Sequence, residues 1–498
     1  MFETRQRHDV ARGITGSGGR IEVTEEMWRK TACEFSELLN DGTVSPSELL
    51  ELCLARHARY NPVLNAIVTL SLDEARAAAR VADSRQREGK RLSAIDGIPI
   101  TIKDNLYARG MRATWGSRLF ADFVPTHDDI CVERLRAAGA VVLGKTNTPE
   151  LAMAGYTDNL LFGPTRNPWN LELIPGGSSG GATASVATAM TPFAVGTDAG
   201  GSIRTPASYT GLVGLRPSNG RIPRRHGFPP IAHDFQVIAP LARTVADAKL
   251  LYEVLAGPDP RDPASLRLPV ETPARMPSAL CIRVVTDVNG EPVDAEVRAS
   301  VRAAASVVAD LGYQVEEGPA PYDLEGVRAI YSTFAAAGAA RVLERFDGWR
   351  GNVSENIAVM GATGLQISAT QYVNALDRLT GIRADVSAAW RDFDVLLTPT
   401  AATLPWPLQQ SHPATIDGRP AHPRSASIFT TWVNAVGHPA ISVPVTPSAS
   451  GLPIGMQLVG RFGAEALLFD IAARFEAVRP WADRWPAIAT DAILADRP

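Results

Sequence analysis

Two stretches of this sequence concentrate glycine and serine: Gly176-Gly177-Ser178-Ser179-Gly180-Gly181, and Gly196-Thr197-Asp198-Ala199-Gly200-Gly201-Ser202-Ile203-Arg204. Glycine permits backbone conformations closed to other residues and leaves room for a ligand beside the main chain. A run such as Ala199-Gly200-Gly201-Ser202 can turn several N–H groups toward one point, where they would stabilise a developing oxyanion. A serine at the end of that run is placed to act as a nucleophile. A lone GGSS is an ordinary flexible loop. Two such clusters, flanking a helix of small residues and each entered from an apolar segment, are harder to read that way.

A serine hydroxyl needs a base. None of the eight histidines (His8, His57, His127, His226, His233, His412, His422, His438) lies inside either cluster. A lysine can serve instead when burial lowers its pKa toward neutrality. There are five lysines, Lys30, Lys90, Lys103, Lys145 and Lys249. Lys103 ends the apolar run Gly97-Ile98-Pro99-Ile100-Thr101-Ile102, so it is the candidate base. The plainer reading is a strand-end lysine paired with Asp104. Lys145, which also follows a strand, is the rival.

The elements that must position these groups can be read around them. Periodicity predicts helices over 24–40 and 46–60. The second opens on the capping box Ser45-Pro46-Ser47-Glu48, with proline at the first helical position. A further box, Ser71-Leu72-Asp73-Glu74, is expected to open a helix reaching residue 88. Residues 97–103 read as a buried strand, 128–138 as a helix and 140–144 as a strand, a succession that suggests a parallel pair. A small-residue helix over 180–190 leads to a strand over 193–197. Strand, helix and strand recur at 279–286, 293–311 and 312–316. Long helices are expected over 323–346 and 367–390, strands over 395–400, 439–445 and 454–459, and a last helix over 464–477. The proline-rich segment 257–278 is the most linker-like, yet no structured halves separate there. The fold class expected is α/β, one large domain around a mixed, mostly parallel sheet with helices on both faces. Residues 1–21 read as a tail and 22–498 as the domain, with its catalytic core about 90–260.

Lys103, Ser178 and Ser202 stand 75 and 24 residues apart. In that order and spacing, with GGSSGG at 176–181 and GTDAGGSIR at 196–204, the chain resembles the amidase signature family. The resemblance also takes in GKTNTPE at 144–150, FGPTRNPW at 162–169, GLVGLRP at 211–217, GHPAISVP at 437–444 and GLPIG at 451–455, and spans about 25 to 480. It implies Ser202 as nucleophile through an acyl-enzyme, Ser178 on a cis peptide after Gly177 as proton carrier, and neutral Lys103 as final base. It implies an oxyanion hole from the N–H groups of Ala199, Gly200, Gly201 and Ser202. Ser179, Thr197, Asp198 and Arg204 would support the loops. Arg204 has two readings, a structural bridge to Asp198 or a contact to a substrate carboxylate. Leu151-Ala152-Met153-Ala154 would line the acyl pocket, with Ala152 and Met153 facing an uncharged acyl group or carbamate; ordinary helix packing is the alternative. The loop 221–235, with His226, Phe228 and His233, and the helices over 323–390 would shape the leaving-group side.

The activity so implied is an amidohydrolase acting on small amides of the aryl or alkyl kind, with carbamates and esters open. Two alternatives remain: the glutaminase subunit of a tRNA-dependent amidotransferase, and an α/β-hydrolase-like esterase using Gly176-x-Ser178-x-Gly180, which needs a strand directly before the serine. A net charge of −4 suggests no nucleic-acid partner. No H-E-x-x-H or similar motif calls for a metal, and no cofactor is expected. Cys33, Cys53, Cys131 and Cys281 are too scattered for a disulfide framework and fit a reducing cytoplasm. No secretory signal or membrane span is expected, and the chain should act as a monomer or homodimer.

Overall fold

Helices begin where side chains satisfy the first free N–H groups. In the computed structural model, which describes residues 26–268 and 280–490, the helix Pro46–Leu64 starts at Ser45, with the reciprocal Ser45–Glu48 bonds of a capping box. A second box, Thr31 with Glu34, starts the helix Ala32–Asn40. The expected 24–40 helix therefore opens late, and Met27–Arg29 is a separate 3-10 turn. The box expected at Ser71 does not form: its hydroxyl bonds the Glu74 carboxylate at 3.1 Å, and no side chain caps the helix Leu72–Arg87. Ser71 is held in line with the preceding strand by its N–H, which donates to Leu143 O at 3.0 Å. The proposed tail, and residues 269–279 of the proline-rich segment, lie outside the described residues.

One sheet of eleven strands organises the chain. The strands are β1 Ile67–Leu70, β2 Pro99–Lys103, β3 Val141–Thr146, β4 Phe193–Asp198, β5 Val213–Arg216, β6 Val237–Ala242, β7 Cys281–Val284, β8 Gln314–Glu317 and β9 Val395–Pro399, then β12 Ala440–Pro444 and β13 Gly455–Gly460; β10 Thr415–Ile416 and β11 Arg419–Pro420 form a separate hairpin. Their order across the sheet is β1-β3-β2-β4-β6-β5-β12-β13-β9-β7-β8. Every residue of β2, β3, β4, β5, β6, β9, β12 and β13 is buried. Strands buried at successive positions are covered on both faces, here by helices, as the α/β expectation requires.

The sheet is mixed. β3, β2 and β4 run parallel to one another, as do β9, β7 and β8. From β4 through β6, β5, β12 and β13 to β9 every pairing is antiparallel, as is β1 with β3. The antiparallel share is larger than the alternation of strands and helices suggested. Strands such as β12 and β13 follow each other through a short loop, and a short return gives an antiparallel pair.

The parallel trio matters most for chemistry. β2 and β4 are direct neighbours, with Ile100 opposite Phe193 and Ile102 opposite Val195. Their C-terminal ends therefore share one edge of the sheet, where open α/β folds present their sites. Lys103 ends β2, and Asp198 ends β4. Between them in sequence, the helix Gly180–Ala187 is buried throughout. Its small residues bring it so close that a Cβ on Gly181 would collide with the backbone of Asn147 and Ala66. All four cysteines are free. Among the described residues no helix is long and apolar enough to cross a membrane.

Candidate active site

Lys103 has no exposure to solvent. Its Nζ lies 2.7 Å from Ser178 Oγ, 2.9 Å from Ser179 Oγ, 3.2 Å from Thr197 Oγ1 and 3.4 Å from Thr197 O. Burial lowers its pKa from the ordinary lysine value to about 7, against an opposing pull from the Asp198 carboxylate. A neutral amine offers two N–H donors and one lone pair. Ser179 Oγ donates its own proton to Thr197 O at 3.3 Å, so it accepts from the lysine. Thr197 Oγ1 takes the second N–H and also accepts from Asn105 Nδ2 at 2.9 Å. With both N–H groups so used, the lone pair of the uncharged amine would be open to Ser178 Oγ, the closest of the oxygens. That is the orientation a base needs toward a hydroxyl that must lose its proton.

The simpler pairing of Lys103 with Asp104 does not occur. The Asp104 carboxylate faces Lys145 at 3.4 Å, and Lys145 also donates to Leu106 O at 2.6 Å. Both are fully buried; burial raises the Asp104 carboxyl and lowers the Lys145 amine, each opposed by the other's charge. Lys145 is committed to holding the chain beyond β2.

The two glycine-serine segments meet. The peptide Gly177–Ser178 is cis, and Ser179 N donates to Ser202 O at 3.2 Å. Ser178 and Ser179 are buried, whereas Ser202 is partly exposed. Asp198 governs the second segment. Its carboxylate accepts from Gly201 N at 2.8 Å and Ile203 N at 3.2 Å, and from Arg204 through two bonds of 2.9 Å. Burial alone would raise this carboxyl; the guanidinium groups of Arg204 and Arg216 and the Asn434 amide hold it well below the usual carboxylate range. Arg204 is fully buried and also donates to Gln457 Oε1 at 2.7 Å, Asn434 Oδ1 at 2.6 Å and Thr430 O at 3.2 Å. Of its two readings, the structural bridge is the one the geometry contains.

This corrects one expected donor. The N–H of Gly201 is occupied by Asp198 and is not free for an oxyanion. Among the described residues no acceptor bonds the N–H of Ala199, Gly200 or Ser202. Gly201 serves conformation instead: its φ is +118°, and a Cβ there would strike the Thr430 side chain. Thr430 Oγ1 in turn donates to Gly200 O at 2.9 Å. Chemically, the arrangement offers a buried proton acceptor, an intervening hydroxyl, a partly exposed second serine on the adjoining loop, and unbonded N–H groups beside it.

The expected pocket residues lie alongside. Glu150–Ala152 is a short turn and not a regular helix, broken by left-handed backbone at Leu151 (φ +52°) and Ala152 (φ +58°). Ala152 and Met153 are partly exposed. The segment borders the Gly177–Ser178 turn, because the backbone of Ala154 and Tyr156 leaves no space for a Cβ on Gly177. Leu151 belongs to a cluster with Trp115 and Phe228. Trp115 stacks on Phe228 with centroids 4.6 Å apart, and Tyr107 and Phe120 meet Phe228 edge-on at 5.0 and 4.8 Å. His226 packs on His127 at 4.5 Å and His233 on Phe334 at 5.1 Å.

The G-x-S-x-G elbow is absent, since residues 174–178 form no strand ahead of Ser178. His438, the histidine that could follow in chain order, is bonded through Nδ1 to Gly460 O at 3.0 Å and packed on Trp390. No cluster of metal-binding side chains occurs among the described residues. Sequence reasoning missed Asn105, Thr430, Asn434 and Gln457. Only Asn105, a polar residue just past the lysine strand, left a local signal; the others come from far along the chain.

Comparison with known proteins bears on this geometry. The family described as Amidase matches residues 48–469. A glutamyl-tRNA(Gln) amidotransferase subunit from Synechococcus sp. (strain CC9605) is 38% identical over 493 residues, covering 92% of this chain and 96% of that protein. A bacterial aryl acylamidase of the amidase signature enzymes superposes with a TM-score of 0.85 at 31% identity, covering 94% of this chain and 99% of that one. The 6-aminohexanoate cyclic dimer hydrolase, complexed with substrate, gives 0.82 at 30% identity, covering 93% and 100%. The expectation of no nucleic-acid partner falls against the first of these relatives, which is named as part of an enzyme of glutamyl-tRNA. Net charge alone is no test of such a partner, because what attracts a polyanion is the distribution of charge over the surface and not its sum.

Proposed function

The chain belongs to the amidase family, and from that premise we propose that it hydrolyses amide C–N bonds by acyl transfer through Ser202. Ser202 Oγ attacks the carbonyl carbon while its proton passes to Ser178 Oγ, and the Ser178 proton passes to Lys103 Nζ. The oxygen that gains charge is met by the unbonded N–H groups of Ala199, Gly200 and Ser202, which need no reorganisation as the charge develops. The C–N bond then breaks, and the proton returns from Lys103 through Ser178 to the departing nitrogen. Water repeats the sequence on the ester, releasing the acid and restoring Ser202. The observation that carries this reading is the buried Lys103 amine, 2.7 Å from Ser178 Oγ.

The proposed substrates are small amides. The partly exposed Ala152 and Met153, on the segment packed against Gly177, favour an apolar group on one side of the scissile bond. A carbamate or ester presents the same electrophile to the same relay. Hydrolysis of amides, anilides, esters and carbamates by the purified chain tests this, with Ser202→Ala as control. No activity on any class, or activity that survives the substitution, refutes it.

A second reading has its own support. Identity of 38% to a component of glutamyl-tRNA(Gln) amidotransferase favours a carboxamide of glutamine as the substrate, with ammonia delivered inside a larger assembly. Ammonia release from glutamine that appears only with partner chains and glutamyl-tRNA would select this reading; turnover of simple amides by the lone chain would select the first.

A further inference from the structure

Among the described residues, one cation beside the site has no carboxylate to neutralise it. Arg424 lies on the segment that leads into the 3-10 turn Ser425–Ser427, ahead of Thr430 and Thr431, whose hydroxyls donate to Gly200 O at 2.9 and 3.3 Å. The turn carrying Arg424 is thus fastened to the loop that presents the unbonded N–H groups. Between them stands Tyr331. A Cβ built on Gly200 would lie 3.4 Å from the Tyr331 hydroxyl oxygen, and the Arg424 guanidinium carbon lies over the ring of the same residue, 3.7 Å from its centroid.

The surroundings leave this guanidinium available. The neighbouring carboxylates are taken: Arg328 holds Glu291 at 2.7 Å and Glu325 at 2.5 Å, and His422 sits 3.8 Å from Glu291. Among the described residues Arg424 has no ion pair and no side-chain hydrogen bond; the Tyr331 ring is its neighbour on one side. Arg424 is only partly buried. A guanidinium placed over an aromatic ring is attracted by the ring and still has N–H groups to offer a carboxylate. Arg204, by contrast, is the buried arginine with every direction filled, which is why the substrate-facing role does not fall to it.

We propose that Arg424, seated on Tyr331 at the Gly200 edge of the site, binds a carboxylate carried by the substrate, so that the preferred amides are monoamides bearing an acid group. This rests on the hydrolytic reading above and names its substrate class. Such a carboxylate can belong to a plain dicarboxylic monoamide or to an amino acid; the chemistry recognised is the same.

Three amides of equal chain length separate the possibilities: pentanamide, glutaramate and L-glutamine. Glutaramate should exceed pentanamide in kcat/KM by at least tenfold. In Arg424→Gln that preference should vanish through a rise in KM, pentanamide should be unchanged, and Arg424→Lys should restore part of the gain. L-Glutamine above glutaramate would indicate an amino-acid substrate; the reverse order would indicate a plain diacid monoamide. Equal rates on glutaramate and pentanamide, or a preference that persists in Arg424→Gln, overturn the proposal while leaving amide hydrolysis intact. Calorimetric binding of glutaramate and pentanamide to Ser202→Ala, with and without Arg424→Gln, removes dependence on turnover. Affinity for glutaramate that depends on Arg424 without hydrolysis in the parent chain would sink the hydrolytic reading alone. Affinity that ignores Arg424 would sink this one.

Discussion

The floor of the site and its rim are built by different physics. The floor is polar and closed: Lys103, Ser178, Ser179, Thr197, Asp198 and Arg204 are buried and linked by short hydrogen bonds, each group fixing the next. The rim is apolar and packed, with Trp115 and Phe228 buried and Tyr107 and Phe120 partly exposed. Trp115, Phe228, Tyr107 and Phe120 pack as rings, on loops and helix ends that meet from distant parts of the chain. Buried polar groups tolerate almost no change in partner, since an orphaned donor or charge costs its full desolvation. Aromatic packing tolerates more. The difference teaches that, on the proposed reading, the floor would carry the reaction and the rim would shape what enters.

The comparison is broken most severely at the floor. Lys103→Ala should lower kcat by about a thousandfold or more, the upper range for a lost general base, with circular dichroism unchanged. A rate within tenfold of the parent would move the base elsewhere. The parent enzyme should also titrate. The active amine is the uncharged form, and its pKa is held near 7, so kcat/KM should rise about tenfold per pH unit below 7 and level off above it. A flat profile down to pH 5 would contradict a lysine base.

Asp198→Asn attacks the floor's scaffold. It removes a charge that Arg204, buried beside it, requires, and the loss in unfolding free energy should be about 3–5 kcal/mol, read by chemical denaturation. A change below 1 kcal/mol would mean that Arg204 is satisfied by Gln457 and Asn434 alone. At the rim, Phe228→Ala should raise KM for an aryl amide severalfold and change kcat little, with a stability loss of about 3 kcal/mol from the emptied ring site. Should kcat fall as far as in the floor variants, the division into floor and rim would be wrong. The smallest effect expected is that of Asn105→Ala, which removes one hydrogen bond to Thr197 Oγ1. A net bond worth about 1 kcal/mol corresponds to roughly fivefold in kcat.

The same division explains what could be read from the sequence. The floor is local: Lys103 ends an apolar strand, and the serines sit in glycine-rich turns at fixed spacing, so residue type and position announce the chemistry. The parallel pair β2 and β3 is legible from strand, helix and strand in succession. Illegible are the groups brought in by the antiparallel half of the sheet. Gln457 on β13 and Asn434 in the helix Thr431–Val436 reach Arg204 from more than 200 residues away. The expectation for Gly201 fails because nothing local shows that its N–H turns to Asp198. The rim is legible only as a hydrophobic loop, since ring packing depends on which distant segments meet.

The central claim is that a buried, uncharged Lys103 draws the proton from Ser202 by way of Ser178. Its most direct test is the rate at which an organofluorophosphonate modifies the protein as a function of pH, with the labelled residue identified by mass spectrometry, in the parent and in Lys103→Ala. A single label is expected on Ser202, formed at a rate that climbs to a plateau with a midpoint near pH 7 and loses that inflection in Lys103→Ala. A label on another serine, or an inflection that survives removal of the lysine, would contradict it.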